Sequence, residues 1–122
     1  MTVLIKYKKT YKKVAMGLLS FMPDERQLKI LQQTLQKYEE DSAWQLYLWK
    51  QEDDLVGVIG IEVSELTFTV HHVSVNPSYQ NEGVGHAMVE KVLELQEPRA
   101  MQASLKTKDF LTKCWETNNP IA

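Results

Sequence analysis

The chain has 122 residues, of which 43% are hydrophobic and 25% are charged, and its formal net charge is -2. These values are typical of one globular domain over residues 1–122, and they exclude a disordered or collagen-like chain. The small net charge gives no global attraction to phosphate backbones or anionic lipid, so we expect neither nucleic acid nor a membrane as a partner.

The N-terminal part predicts one strand and two helices. Residues Thr2 to Tyr7 favour a strand, and the apolar residues from Val14 to Met22 recur as in a helix that ends before Pro23. Asp24 and Gln27 have the spacing of a capping box for a second helix. The apolar face of that helix comprises Leu28, Leu31, Leu35 and Tyr38, while Gln32, Gln33, Gln36 and Lys37 lie off it.

Five lysines between Lys6 and Lys13 precede the apolar run and imitate a signal peptide. The run is short and no small-residue cleavage site follows it, so we expect a solvated strand edge and helix face instead. Cys114 is the sole cysteine, which excludes an internal disulfide and indicates a reducing, cytoplasmic compartment. We expect it to be a small buried hydrophobic residue.

The middle of the chain predicts three consecutive strands followed by a helix. The strands are expected over Trp44 to Lys50, Leu55 to Val63 and Phe68 to Asn76, and the helix over Val84 to Gln96. Its predicted buried stripe is Val84, Ala87, Met88, Val92 and Leu95.

After Pro98, Ala100 to Leu105 predicts a short strand and Thr107 to Trp115 a last helix. The order is β-α-α-β-β-β-α-β-α. It predicts an α/β domain with one mixed sheet flanked by helices.

Gly83 and Gly85 lie in a loop that leads from the third of these strands into a helix. Such a helix start presents free backbone amides and the positive end of the helix dipole, which together bind phosphate. A side chain at either glycine would keep a pyrophosphate away from the amides. The alternative is a tight turn without a ligand. A dinucleotide-binding fold is excluded because the glycines follow the fourth predicted strand and a third glycine is missing.

The segment from Val73 to Gly85 resembles the signature of the GCN5-related N-acetyltransferases (GNAT): an apolar strand, a turn with proline, then Q/R-x-x-G-x-G/A. The predicted element order is similar to that family along almost the whole chain, and Val56 to Gly60 resembles its third strand. The N-terminal half is most similar to short acetyltransferase-like proteins encoded with riboflavin-synthesis enzymes in bacilli, which implies a link to flavin metabolism.

The resemblance implies acetyl-CoA as the cosubstrate, with no metal. Its pantetheine arm is expected along the strand at Val73 and Val75. Glu82 would place a negative charge near the pyrophosphate and weaken the affinity. The pyrophosphate is expected on the loop and helix start, at Gln80, Asn81, Gly83, Val84, Gly85 and His86.

Two residues are candidates for the base that deprotonates an acceptor amine. His71 shares strand parity with Val73 and Val75, and histidine is the most common general base in enzymes. Glu62 could relay a proton through water from the neighbouring strand. The alternatives are packing for His71 and a solvated strand end for Glu62. His72 is expected to point to the other face with a structural role.

The chain departs from the family pattern at three places. Leu111 occupies the usual position of a tyrosine that protonates the thiolate, and Ser104 replaces an asparagine that holds pantetheine. Only Glu116 to Ala122 remain where relatives continue into two strands that close the sheet. We therefore expect acetyl transfer to a small-molecule or protein amine, with a non-catalytic CoA-binding or regulatory module as the alternative. The open sheet edge predicts a possible homodimer.

Overall fold

The computed structural model describes residues 2–22, 27–80, 82–105 and 107–111. Short 3-10 turns precede the first and third helices, and residues 108–111 are helical. The predicted mixed α/β order is confirmed for these residues, whereas the predictions at Pro23, Asp24, Cys114 and residues 112–122 lie outside them. The elements are β1 (Thr2–Lys6), α1 (Lys12–Leu19), α2 (Leu28–Glu40), β2 (Trp44–Gln51), β3 (Asp54–Val63), β4 (Thr67–Val75), α3 (Val84–Gln96) and β5 (Ala100–Ala103).

The five strands form one sheet in the order β1-β2-β3-β4-β5. The pairs from β1 to β4 are antiparallel, and β5 lies parallel to β4. Pairing between these last two strands stops at Val70 and Ala103, although β4 continues to Val75. A fork therefore opens along the second half of β4, and β1 and β5 are the two edge strands of the sheet that the described residues form.

The helices cover both faces of the sheet and create two hydrophobic clusters. One cluster joins α3 to β3 and β4 and includes Met88 and Val92, and the other joins α1 and α2 to β2 and β3. Glycines on β3 let the helices approach closely. A Cβ at Gly57 would lie 2.9 Å from the Met88 sulfur, and one at Gly60 would overlap the Tyr38 hydroxyl.

Two leucines predicted to be buried are exposed. Leu28 starts α2 and is 60% exposed, and Leu95 is 54% exposed on the outer flank of α3. The buried face of α3 instead follows Val84, Gly85, Met88, Val89, Val92 and Gln96. In the described ranges, no helix is both long and apolar enough to cross a lipid bilayer.

Candidate active site

The strand that carries the two neighbouring histidines contains a β-bulge. Opposite β3, Gly60 pairs with His72 and Ile61 pairs with Val70, which leaves His71 as the extra residue. A bulge of this kind bends the strand and redirects the side chains around it.

The bulge changes which residues of β4 face α3, from the even-numbered ones before it to the odd-numbered ones after it. Phe68 and Val70, before it, belong to the α3-side cluster, and after it Val73 and Val75 pack against the same cluster. His71 and His72 both line a groove on the opposite, α2 side. The parity prediction for His71 was therefore wrong, because an inserted residue breaks the period of two. Neither histidine shares the face of Val73 and Val75.

His71 and Glu62 form one hydrogen-bonded pair. The His71 Nε2 atom lies 2.9 Å from Glu62 Oε1, and both side chains are partly exposed. An ionised carboxylate can only accept, so Nε2 carries the hydrogen and Nδ1 is the basic nitrogen. The Trp44 ring stacks on the His71 imidazole at 4.3 Å between centroids and 13° between planes. The two candidates predicted as alternatives thus lie in a single carboxylate–imidazole dyad.

His72 is buried, and its Nδ1 atom lies 2.6 Å from the Tyr38 hydroxyl. Tyr38 reaches this position because Gly60 has no side chain. The burial and the short hydrogen bond agree with the predicted structural role of His72, although it lies on the same side of the sheet as His71.

The groove between α2, the bulge and the segment after β5 encloses about 430 Å³. Its volume falls within the usual range for small-molecule sites. No sequence pattern predicts this groove, because the polar residues of α2 are typical of a solvated helix face. The groove is lined by Gln33, Thr34, Lys37, Trp44, His71, His72, Ser104 and Leu105.

The loop before α3 leads into the helix where the sequence predicts it. Gly83 caps the helix in the left-handed conformation, with φ of 78°, and faces open space. The Ala87 amide donates to the Gly83 carbonyl at 2.9 Å, so the amides of Val84, Gly85 and His86 precede the first hydrogen bond of the helix. Asn81, which the sequence also assigned to this site, lies outside the described residues.

Gly85 has a different neighbour from the one predicted. A Cβ at this buried position would lie 2.5 Å from Cζ of Phe110. A glycine is needed here to make room for the Phe110 ring. Access for a ligand is therefore not the main reason for a glycine at this position.

Side chains tie this loop to the turn between β2 and β3. Gln51 Nε2 donates to Glu82 Oε1 at 3.2 Å, and the Tyr79 hydroxyl donates to Asp54 Oδ2 at 3.1 Å. The hydrogen bond to Asp54 raises the pKa of Tyr79. The Glu82 carboxylate, predicted to oppose a pyrophosphate, therefore has a partner at the end of β2.

A buried threonine closes the apex of the fork. Thr107 Oγ1 donates its only proton to the Val70 carbonyl at 2.6 Å. It can then only accept from the Ser104 hydroxyl, 3.2 Å away, so Ser104 must be the donor in that contact. The Ser104 oxygen is left as an acceptor at the edge of the groove. Leu111 is buried in the α3-side cluster and supplies no hydroxyl here.

Comparisons with known proteins agree with this geometry. The family model of the acetyltransferase (GNAT) domain matches residues 8–117. An uncharacterized N-acetyltransferase in the lysA 3' region of Bacillus methanolicus is 45% identical over 113 residues, which is 92% of this chain and 94% of that protein.

Two solved structures share the fold at low identity. A possible acetyltransferase from Clostridium difficile 630 superposes with a TM-score of 0.77 at 10% identity, over 98% of this chain and 90% of the other. The aminoglycoside N-acetyltransferase AAC(6')-Iy, in complex with a bisubstrate analog of CoA and acetylneamine, gives 0.74 at 12% identity, over 97% and 88%.

Proposed function

This chain belongs to the GNAT acetyltransferase family, and we propose that it transfers the acetyl group of acetyl-CoA to the amine of a small molecule bound between α2 and β4. The observation that carries the proposal is the division of β4 by its bulge. Residues that suit the cosubstrate lie along the fork and at the start of α3, whereas His71, which is hydrogen-bonded to Glu62, lines the groove.

The residues present fit acetyl-CoA as the cosubstrate. The amides of Val84, Gly85 and His86 and the dipole of α3 suit its pyrophosphate. The unpaired part of β4 at Val73 and Val75 offers backbone groups to the amides of pantetheine, as an added strand would. The side chain of His86 bonds Glu90 at 3.0 Å, so its backbone is the part assigned to the ligand.

The chemistry assigned to the dyad is deprotonation of the acceptor. His71 Nδ1 takes a proton from the amine, and Glu62 stabilises the imidazolium through Nε2. The amine nitrogen then bonds the acetyl carbon while the carbon–sulfur bond breaks. The sulfur leaves with the electron pair and takes the proton that the new amide nitrogen loses. A β4 amide near Val73 to Val75 would stabilise the charge on the acetyl oxygen.

Three variants test the dyad with a broad panel of amines. His71→Ala should lower kcat by about 100-fold or more and leave the acetyl-CoA affinity unchanged. Glu62→Gln should lower kcat less, and the double variant should be no slower than His71→Ala because the pair acts as a unit. Glu65→Gln, an exposed carboxylate in the next turn, is the matched control. Full turnover by His71→Ala would reassign the base to Glu62 or water.

A non-catalytic CoA-binding or regulatory module is the second candidate. It is favoured by Leu111, a buried core residue where relatives use a tyrosine. Binding of acetyl-CoA without acetylation of any amine in the panel would establish this alternative.

The setting and assembly of the protein are also proposals. The sole cysteine supports a cytoplasmic location, and the similarity of the N-terminal half to riboflavin-operon proteins supports a link to flavin metabolism. Among the described residues β5 is an edge strand, which supports a homodimer. Flavin levels in a deletion strain and light scattering at micromolar protein would test the last two; unchanged flavins or a monomer would refute them.

A further inference from the structure

We propose that the groove selects small primary amines that also carry a carboxylate, and that Lys37 is the specificity-determining residue that binds this carboxylate. The inference rests on the proposed function, because it names the acceptor class of the same site.

The charges that line the groove support this selection. Lys37 is a cation, and none of the described lining residues is a carboxylate. Glu62, the carboxylate of the proposed catalytic pair, is already hydrogen-bonded to His71. A second ammonium group on the acceptor would lose its hydration in the groove and meet no negative charge there. A carboxylate would instead be paired with the positive charge of Lys37.

Lys37 and the proposed base, His71, both lie against the Trp44 ring. Its ammonium nitrogen lies 5.1 Å from the centre of the Trp44 ring, and that ring stacks 4.3 Å from the His71 imidazole. The ammonium is thus no farther from the imidazole centre than the sum of these distances. Because both side chains also line the groove, one small molecule can place its amine at His71 and its carboxylate at Lys37.

Asp41 is the competing partner. Its Oδ2 atom lies 3.9 Å from Lys37 Nζ, and the two side chains are 44% and 51% exposed. A long, solvated pair of this kind contributes little, so an acceptor carboxylate can replace it. Asp41 Oδ1 also accepts from the Ala43 amide at 3.0 Å, a role that asparagine retains. Asp41→Asn therefore removes the competitor without removing the turn.

The experiment compares acceptors that share an amine and differ only at the far end. Acetylation is measured as kcat/KM for ω-amino acids of increasing chain length and for diamines of the same lengths. The wild type should prefer the ω-amino acids and show an optimal length. Lys37→Met should lose about tenfold on the best ω-amino acid with little change on the diamine.

Matched variants control for folding and for general charge. Lys37→Arg should keep the preference, and Asp41→Asn should increase kcat/KM for the ω-amino acids. Lys29→Met removes an exposed cation from the same helix and should change nothing. Thermal unfolding of each variant shows that it is folded.

Each contrary result has its own meaning. Equal or better use of diamines by the wild type, or an unchanged preference in Lys37→Met, would overturn the inference and leave acetyl transfer intact. Acetylation of peptide lysines alone would overturn the small-molecule assignment. If acetyl-CoA binds but no amine is acetylated, the proposed function fails and the inference falls with it.

Discussion

Replacing Gly85 with alanine should destabilise the fold through Phe110. The new Cβ would lie 2.5 Å from Cζ and 3.1 Å from Cε2 of that ring, well inside the usual carbon–carbon contact. Overpacking of this kind costs about 1–3 kcal/mol, and we expect about 2 kcal/mol because the partly buried ring can shift. With an unfolding entropy of about 2.1 cal/mol/K per residue, this lowers the Tm by about 8 °C.

A double-mutant cycle separates packing from ligand access. Phe110→Leu removes the ring atoms that the new methyl group would meet, so the Gly85→Ala change should cost little in that background. The expected coupling energy is about 1–2 kcal/mol. The assay is thermal and denaturant unfolding of the four proteins, each with and without acetyl-CoA. The double variant should gain as much Tm from acetyl-CoA as Phe110→Leu does, because ligand binding stabilises the folded state.

Two results would refute this reasoning. Additive effects in the cycle would show that the Phe110 ring is not what limits a side chain at Gly85. A stable double variant that no longer responds to acetyl-CoA would show that the methyl group blocks the ligand itself.

Three other changes test the loop, the α2 contact and the fork. Aspartate and asparagine at position 83 both suit the left-handed backbone, but only aspartate adds a charge at the start of α3. The Kd of Gly83→Asp for acetyl-CoA, measured by calorimetry, should therefore be at least about tenfold higher than that of Gly83→Asn. Equal affinities would remove the loop from the site. Burial and then the bond to Glu39 raise the pKa of Tyr7 in the folded state. The stabilisation that this raised pKa gives the folded state is complete below about pH 10 and falls above it, because the unfolded state then loses the proton. Tyr7→Phe should therefore make the unfolding free energy decline less steeply at alkaline pH. An unchanged slope would contradict this. Thr107→Val should cost about 1–3 kcal/mol by denaturant unfolding, because it leaves the Val70 carbonyl without its buried hydroxyl donor; equal stability of Thr107→Ser and Thr107→Val would show that the hydroxyl is not needed.

Local patterns were sufficient to predict most elements. Helix α3 has the predicted bounds, Val84 and Gln96, because its apolar spacing and the glycine loop before it act over a few residues. The prediction that Leu95 is buried was wrong, because the sequence alone does not determine how the helix is rotated against the sheet. The rotation of α3 depends on the contact between Gly57 of β3 and Met88 of α3, two residues that are far apart in the sequence.

The site was less predictable because its central feature is a relation between two strands. Nothing within the stretch from Val70 to Val73 marks a bulge, so simple alternation separated His71 from His72. The available signal was Gly60 on the neighbouring strand, where a glycine can indicate a bulge or close packing. The groove was missed for a similar reason, since Lys37 becomes a lining residue only when α2 lies beside β4.

The bulge at His71 also has an evolutionary consequence. Under the proposed function it would assign the two faces of one sheet to different ligands, and each face has its own hydrophobic cluster. Substitutions at distant, independent sites have nearly additive effects, so changes on α2 at Gln33, Thr34 or Lys37 leave the packing of α3 undisturbed. New acceptors could therefore be acquired by drift on the α2 face alone, while the α3 face stays under selection for one constant cosubstrate.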